Sequence, residues 1–227
     1  MRYFSRLAGL AFVLVLAGCT GPTQTKGESF PSMYGETSPT TILVLPAINE
    51  TTAADAGDLL NVTVAMPFAN HGYYVIPVPI VADIFRREGI VEGEQIKNLP
   101  PTIYKQHFGA DAVLFLTVEE WDTNYAILSA NVTVGMEYVL VSTTSGEVLW
   151  SYEERVVMDT SGSSGNILAD VIATAISTAM ADYVPIAIQV HQNAVVAMPF
   201  GTMHPMHDQD AEMKTVKVLK RDAALEQ

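Results

Sequence analysis

Cationic side chains are scarce in this chain of 227 residues, which has 12 lysines and arginines against 25 aspartates and glutamates. The formal net charge of −13 disfavours a nucleic-acid-binding surface, because phosphate backbones are bound by clustered cations. It also disfavours adhesion to anionic lipid through a basic patch. A single cysteine excludes an intramolecular disulfide and a metal site built from several cysteines. Hydrophobic residues nevertheless make up 49% of the chain, which favours a folded domain.

Sequence motifs of common enzyme classes are also missing. The chain has no Gly-x-Ser-x-Gly nucleophile elbow and no Gly-x-x-x-x-Gly-Lys-Ser/Thr phosphate-binding loop. Carboxylates do flank Trp121 at the end of a predicted strand, where alternation would place Glu119 on the same face as the tryptophan. A hydrolase of envelope glycans that uses Glu119 or Asp122 would need a concave acidic pocket beside Trp121. Without evidence for such a cleft, we expect the protein not to be an enzyme.

The amino terminus carries the features of a bacterial lipoprotein signal. Two arginines precede an apolar run from residue 7 to residue 16, which is too short for a mature transmembrane helix. The run ends in Leu16-Ala17-Gly18-Cys19, which looks like a lipobox, where the cysteine is acylated and the bond before it is cleaved. We therefore predict a signal peptide at residues 1–18 and lipidation of Cys19. Thr20, in place of an aspartate, favours the outer membrane by resemblance to enterobacterial sorting.

Composition divides the remaining chain into three parts. Residues 19–40 hold the cysteine and a stretch rich in Thr, Ser, Gly and Pro, which is typical of a flexible tether. Residues 41–207 carry the apolar periodicities of a single folded domain. Residues 208–227 form a charged tail that we expect to fray.

Periodicity in the domain predicts an α/β fold, with a mixed sheet of about five strands and helices packed on it. Pro67 should kink or split the first helix, and Pro77 favours an edge position for the second strand. Strands are predicted at residues 42–45, 73–78, 112–121, 130–142 and 147–158, and a tight turn joins the last two. Helices are predicted at residues 54–70, 79–88, 100–108, 167–183 and 185–198.

Four blocks of the domain resemble a known family. They are ILVLP from residue 42, PFANHGYYVIPV from residue 67, FGADAVL from residue 108 and TSGEVLW from residue 144. Over residues 40–207 the chain is similar to a family of bacterial outer-membrane lipoproteins of unknown function, of the neisserial surface-antigen type. The resemblance implies an α/β fold related to the curli secretion lipoprotein and to the amino-terminal domain of the Tol-Pal protein B. It supplies no catalytic residue.

The predicted edge strand is one candidate binding surface. Alternation should direct one of Tyr73 and Tyr74 into the core and the other outward. An exposed edge can accept an added strand from a partner, although Pro77 and Pro79 could instead protect it. We name Tyr73, Tyr74 and Val75 as candidate partner-binding residues and leave both interpretations open.

A second candidate lies near the end of the domain. His204 and His207 are three residues apart with Met206 between them, and imidazole and thioether groups together suit copper. Pro205 disfavours the regular helix that would align the two histidines. The alternative is a surface segment that happens to contain two histidines. No other cofactor is predicted.

The sequence thus predicts a non-enzymatic, lipid-anchored scaffold on the outer membrane, facing the periplasm. Its partners would be the membrane, through the acyl chains, and other envelope proteins or further copies of the chain, with no nucleic acid. The alternative function is a small-ligand or metal-binding module of the envelope.

Overall fold

A mixed β-sheet runs through the computed structural model, which describes residues 24–90, 95–97, 99–126, 129–159 and 184–215. Its strands are β1 (Thr41–Val44), β2 (Ile48–Asn49), β3 (Tyr74–Ile76), β4 (Ala112–Ala126), β5 (Ser129–Ser142) and β6 (Val148–Asp159). The order is β3-β1-β4-β5-β6, and the two-residue strand β2 also pairs with β4. Strands β3, β1 and β4 are parallel, and β4, β5 and β6 form an antiparallel meander. The predicted α/β class with a mixed sheet is therefore confirmed.

Helices cover both faces of this sheet. They are α1 (Lys26–Ser29), α2 (Ala56–Thr63), α3 (Ala65–Asn70), α4 (Val78–Arg87), α5 (Pro101–Phe108) and α6 (Val184–Ala197), with 3-10 turns at Pro31–Met33 and Gly35–Thr37. Helices α2, α3 and α6 enclose the larger core, and α4 and α5 enclose a smaller core on the opposite face. The helix predicted at residues 167–183 lies outside the described residues.

Pro67 splits the helix that periodicity predicts across residues 54–70. A proline cannot donate to the carbonyl four residues earlier and its ring crowds that carbonyl, which belongs to Thr63. Helix α2 accordingly ends at Thr63 and α3 begins at Ala65. Beyond α3, Gly72 has a φ of +95°, and a Cβ there would lie 2.5 Å from the Cβ of His204. Only glycine fits this contact between the β3 entry and the carboxy-terminal segment.

A β-bulge lies where β4 extends beyond β1 and β2. The register with β5 shifts between Val118 and Glu120, which makes Glu119 the extra residue. Opposite the bulge, a Cβ on Gly135 would lie 3.0 Å from the Cβ of Glu120, so glycine permits the close approach. The bulge changes the alternation, and Val118 and Trp121 both face the larger core. The prediction that Glu119 shares a face with Trp121 is therefore wrong.

Residues 24–40 are folded onto the domain. Thr25 and Glu28 form a capping box at the start of α1, and Phe30 and Met33 are buried in the larger core. The prediction of a flexible tether is therefore wrong for residues 24–40, because this segment buries apolar side chains. Residues 19–23, like the predicted signal peptide, lie outside the described residues.

The carboxy-terminal segment packs on the domain in its described part, which ends at residue 215. Asp210 is fully buried, and Lys214 forms an antiparallel bridge with Thr25. The prediction of a frayed tail is therefore wrong for residues 208–215, and residues 216–227 lie outside the described part of the chain. Among the described residues, no helix has the length and apolar character that crossing a membrane requires.

Candidate functional site

Strand β3 forms one edge of the sheet, as Pro77 predicted. It pairs with β1, and among the described residues no strand pairs with its outer side. The Tyr74 side chain is 53% exposed, whereas Tyr73 is 1% exposed. The expected inward and outward placement of the two tyrosines is therefore confirmed.

Burial gives Tyr73 a structural role. Its hydroxyl donates to the Pro199 carbonyl at 2.7 Å, and burial raises the pKa of that hydroxyl well above its usual range. Because its side chain is enclosed, Tyr73 cannot contact a partner without unfolding, and its assignment as a partner-binding residue is wrong. Tyr74 and the half-exposed Val75 remain the candidates at this edge. The next element, α4, adds exposed Ile80 and Ile84 one helical turn apart.

The histidine and methionine segment after residue 200 forms a set of tight turns. The His204 ring stacks on Phe200 with centroids 3.9 Å apart, and its Nδ1 accepts from the Met206 backbone N–H at 3.1 Å. His207 donates from Nδ1 to the Phe200 carbonyl at 2.8 Å. These contacts account for one nitrogen of each ring.

The copper hypothesis gains no support from this arrangement. Among the described residues, no group of three or more histidine, cysteine, aspartate or glutamate side chains could hold a metal ion. The site at His204, His207 and Met206 therefore stays a prediction. Copper titration of the domain and of a His204→Ala/His207→Ala variant tests it.

His191, which could have supplied a further metal ligand, is fully buried in the larger core. Its Nε2 lies 3.1 Å from the Leu60 carbonyl and its Nδ1 lies 2.8 Å from the Tyr138 hydroxyl. A carbonyl can only accept, so Nε2 carries the proton and Nδ1 accepts from the tyrosine. Burial lowers the pKa of His191 to about 4, and the neutral ring is held by both bonds. It is a structural residue of the core.

The carboxylates near Trp121 gain no support as a hydrolase site. Trp121 is 6% exposed and faces the larger core, so it cannot line a cleft for a sugar. Glu120 accepts two hydrogen bonds from the exposed Arg155, at 2.6 and 2.9 Å. Partial burial, together with the carboxylates of Glu153 and Glu137, raises the pKa of Glu119. In the described part of the chain, the position of Trp121 in the core gives the glycan-hydrolase hypothesis no support.

The face of the sheet opposite Trp121 has a groove. Two charged side chains, Lys97 and Glu137, line this groove. The other lining residues lie on strands and are mainly apolar, namely Ile48, Phe115, Thr117, Val139 and Val141.

A buried ion pair joins the two ends of the domain. Lys26 Nζ donates to Asp210 Oδ2 at 3.2 Å and to the Met198 carbonyl at 2.7 Å. The two charged side chains are 5% and 0% exposed. The ammonium group also lies 5.4 Å from the centre of the Phe200 ring, whose backbone N–H donates to the same carboxylate oxygen. We call this arrangement of Lys26, Asp210, Met198 and Phe200 the terminal latch.

Backbone hydrogen bonds extend the terminal latch along the chain. Lys26 N–H donates to the Met213 carbonyl at 2.8 Å, and Gly27 N–H donates to the Ala211 carbonyl at 2.9 Å. Thr215 N–H donates to the Gln24 carbonyl at 3.0 Å. The sequence offered one signal for this arrangement, since Lys26 is the sole lysine or arginine between residues 7 and 85. No sequence pattern points to its partner, which lies 184 residues away.

Comparison with known proteins identifies relatives of this chain. The sequence profile of the family described as "Putative lipoprotein GNA1162-like" matches residues 31–200. The chain is 30% identical over 171 residues to the "Putative lipoprotein NMB1124/NMB1162" of Neisseria meningitidis serogroup B, which covers 75% of this chain and 79% of the relative. The crystal structure of lipoprotein GNA1162 from Neisseria meningitidis is similar, with 32% identity and a TM-score of 0.53 over 63% of this chain and 99% of that one.

A more distant structural neighbour is the PelC dodecamer from Paraburkholderia phytofirmans. It shows 18% identity and a TM-score of 0.40, over 66% of this chain and 88% of that one. The family match includes all four sequence blocks that carry the resemblance. It begins earlier than the first block, within the folded amino-terminal segment. The expected family is thus confirmed, and the chain belongs to the GNA1162-like lipoproteins.

Proposed function

We propose that this protein is a lipid-anchored lipoprotein of the outer membrane, whose domain faces the periplasm and serves as a non-enzymatic scaffold for envelope proteins. The observation that carries the proposal is the lipobox ending in Cys19, in a chain whose family is one of lipoproteins. Several acyl chains on one cysteine give stable anchoring, where a single chain binds reversibly. Anchoring raises the concentration of the domain for partners at the same surface.

The β3 edge supports a scaffold role. In a parallel pair, alternate residues direct their backbone groups to opposite sides, and Tyr74 N–H donates inward to the Thr40 carbonyl. Val75 therefore presents its N–H and carbonyl outward, where an added strand could bind them. The exposed Tyr74 ring would supply side-chain contact next to those backbone groups.

Substitution of the lipobox cysteine tests the anchor. In Cys19→Ala cells we expect the protein to lose its acyl groups by mass spectrometry and to leave the outer-membrane fraction. Thr20→Asp is the matched control for sorting, because it keeps the acylated cysteine and should move the protein to the inner membrane. Cys19→Ala protein that is unacylated yet still fractionates with the outer membrane would contradict the anchoring proposal.

Gentle detergent extraction followed by mass spectrometry tests the scaffold. We expect partners to co-purify with the native chain and to be lost from a Val75→Pro variant, which removes an outward donor and leaves the bonds to β1. Val62→Lys changes an exposed apolar residue on α2 and should keep the partners. If the native protein is a monomer with no partner, or if Val75→Pro keeps every partner, the edge is not the binding surface.

A further inference from the structure

The folded amino-terminal segment fixes how far the domain can lie from its anchor. We infer that the domain is held directly against the membrane that carries Cys19. The inference rests on the proposed acylation of Cys19. The inference goes beyond that acylation, because an acylated cysteine on a long tether would allow the domain to lie far from the membrane.

The available length follows from the chain itself. From Cys19 to Gln24, where the described structure begins, there are five residues, which span at most about 18 Å when fully extended. If residues 19–40 were all free, the same rule would allow roughly 75 Å. Folding of residues 24–40 therefore shortens the maximum reach about fourfold.

The segment is fixed to the domain by contacts that a flexible tether would not make. The terminal latch buries both charges of the Lys26–Asp210 pair, and removing either partner would leave a buried charge uncompensated. Phe30 and Met33 are buried a few residues further on, 5% and 0% exposed. Release of the segment would expose these apolar groups and the ion pair together. The short reach is therefore a property of the folded state.

The same contacts show which end of the domain faces the bilayer. Gln24 is hydrogen-bonded to Thr215, and Thr25 forms a bridge with Lys214, so the attachment point lies beside residues 214 and 215. Exposed Met213 is on the same segment. With a formal net charge of −13, the chain has no general attraction for anionic lipid. Its placement at the membrane is set by covalent length.

A short reach restricts where the domain can lie. It cannot move outward by the tens of ångströms that a free tether of 21 residues would permit. Any partner that binds the domain therefore meets it close to the membrane surface.

Energy transfer to labelled lipid tests the reach on the full acylated chain. A Lys214→Cys variant carries one free thiol for a donor dye, because Cys19 is acylated, and vesicles of phosphatidylethanolamine and phosphatidylglycerol carry a headgroup acceptor. We expect high transfer for the native tether. Insertion of twenty Gly and Ser residues after Thr20 should lower it clearly, since a free coil of that length adds roughly 25 Å on average.

A second variant separates the folding of residues 24–40 from the length of the sequence. Phe30→Ser/Met33→Ser should release residues 24–40 and lower the transfer towards that of the insertion variant, while leaving the chain length unchanged. An acylated native chain with transfer as low as the insertion variant would overturn the inference and leave the anchor intact. A native chain without acyl groups would overturn both the inference and the proposed lipid anchor.

Discussion

Acid should destabilise this domain through one buried histidine. His191 accepts from the Tyr138 hydroxyl and donates to the Leu60 carbonyl, which satisfies a neutral ring. A proton on Nδ1 would face the tyrosine as a second donor. The tyrosine could rotate, but its own hydrogen would then need another acceptor in the core. Protonation is therefore opposed both by burial and by the geometry of the two bonds.

The magnitude follows from the pKa of the ring. Burial lowers the pKa of His191 from 6.5 to about 4. The unfolded chain consequently binds more protons than the folded chain between those two values, so stability falls as the pH drops through this range. One pKa unit corresponds to 1.36 kcal/mol, which gives a loss of roughly 2 kcal/mol between pH 7 and pH 5.

Urea denaturation of the acyl-free domain at pH 7 and pH 5 measures this loss. Burial lowers the pKa of His71 as well, also to about 4, so the informative quantity is the difference between the native domain and His191→Gln. The variant should lose roughly 2 kcal/mol less than the native domain over this interval. A His107→Gln variant, in which the histidine is exposed, should behave like the native domain. Equal losses for the native domain and His191→Gln would refute the reasoning.

Two further substitutions probe the contacts between the ends of the domain. Lys26→Ala should lower the free energy of unfolding by about 3–5 kcal/mol, because Asp210 is left buried and unpaired. The double variant Lys26→Met/Asp210→Leu should recover most of that loss, because it leaves no unpaired charge. Urea denaturation measures both free energies of unfolding. Gly72→Ala should be more destabilising than Gly146→Ala. Both positions have positive φ, but a Cβ at residue 146 meets nothing within 4 Å and one at residue 72 meets His204. If both variants lower the melting temperature equally, backbone strain and not the close contact with His204 determines the loss of stability.

Sequence patterns predicted the elements whose signals are local. Alternation located β4, β5 and β6, and a turn located the hairpin between the last two. Pro67 predicted the break between α2 and α3, and Pro77 predicted the edge position of β3. Each of these features depends on residues within a few positions of one another, so a single sequence contains the information.

The features that the sequence did not predict depend on distant contacts. A segment rich in Thr, Ser, Gly and Pro has the same composition whether it is free or packed, and the partner of Lys26 lies 184 residues further on. The bulge at Glu119 broke the assumption of strict alternation and placed Trp121 in the core. At the edge, alternation correctly divided Tyr73 from Tyr74 but did not exclude Tyr73 as a binding residue.

The terminal latch also sets an order of events in the life of the chain. Synthesis proceeds from the amino terminus, and Lys26 cannot be buried until Met198 and Asp210 have been made. The amino-terminal segment from residue 24 therefore cannot complete its contacts until nearly the whole chain exists. Under the proposed acylation of Cys19, modifying enzymes would meet that segment before these contacts form. One contact between the first and last parts of the chain thus makes the placement of the amino-terminal segment a late step in folding.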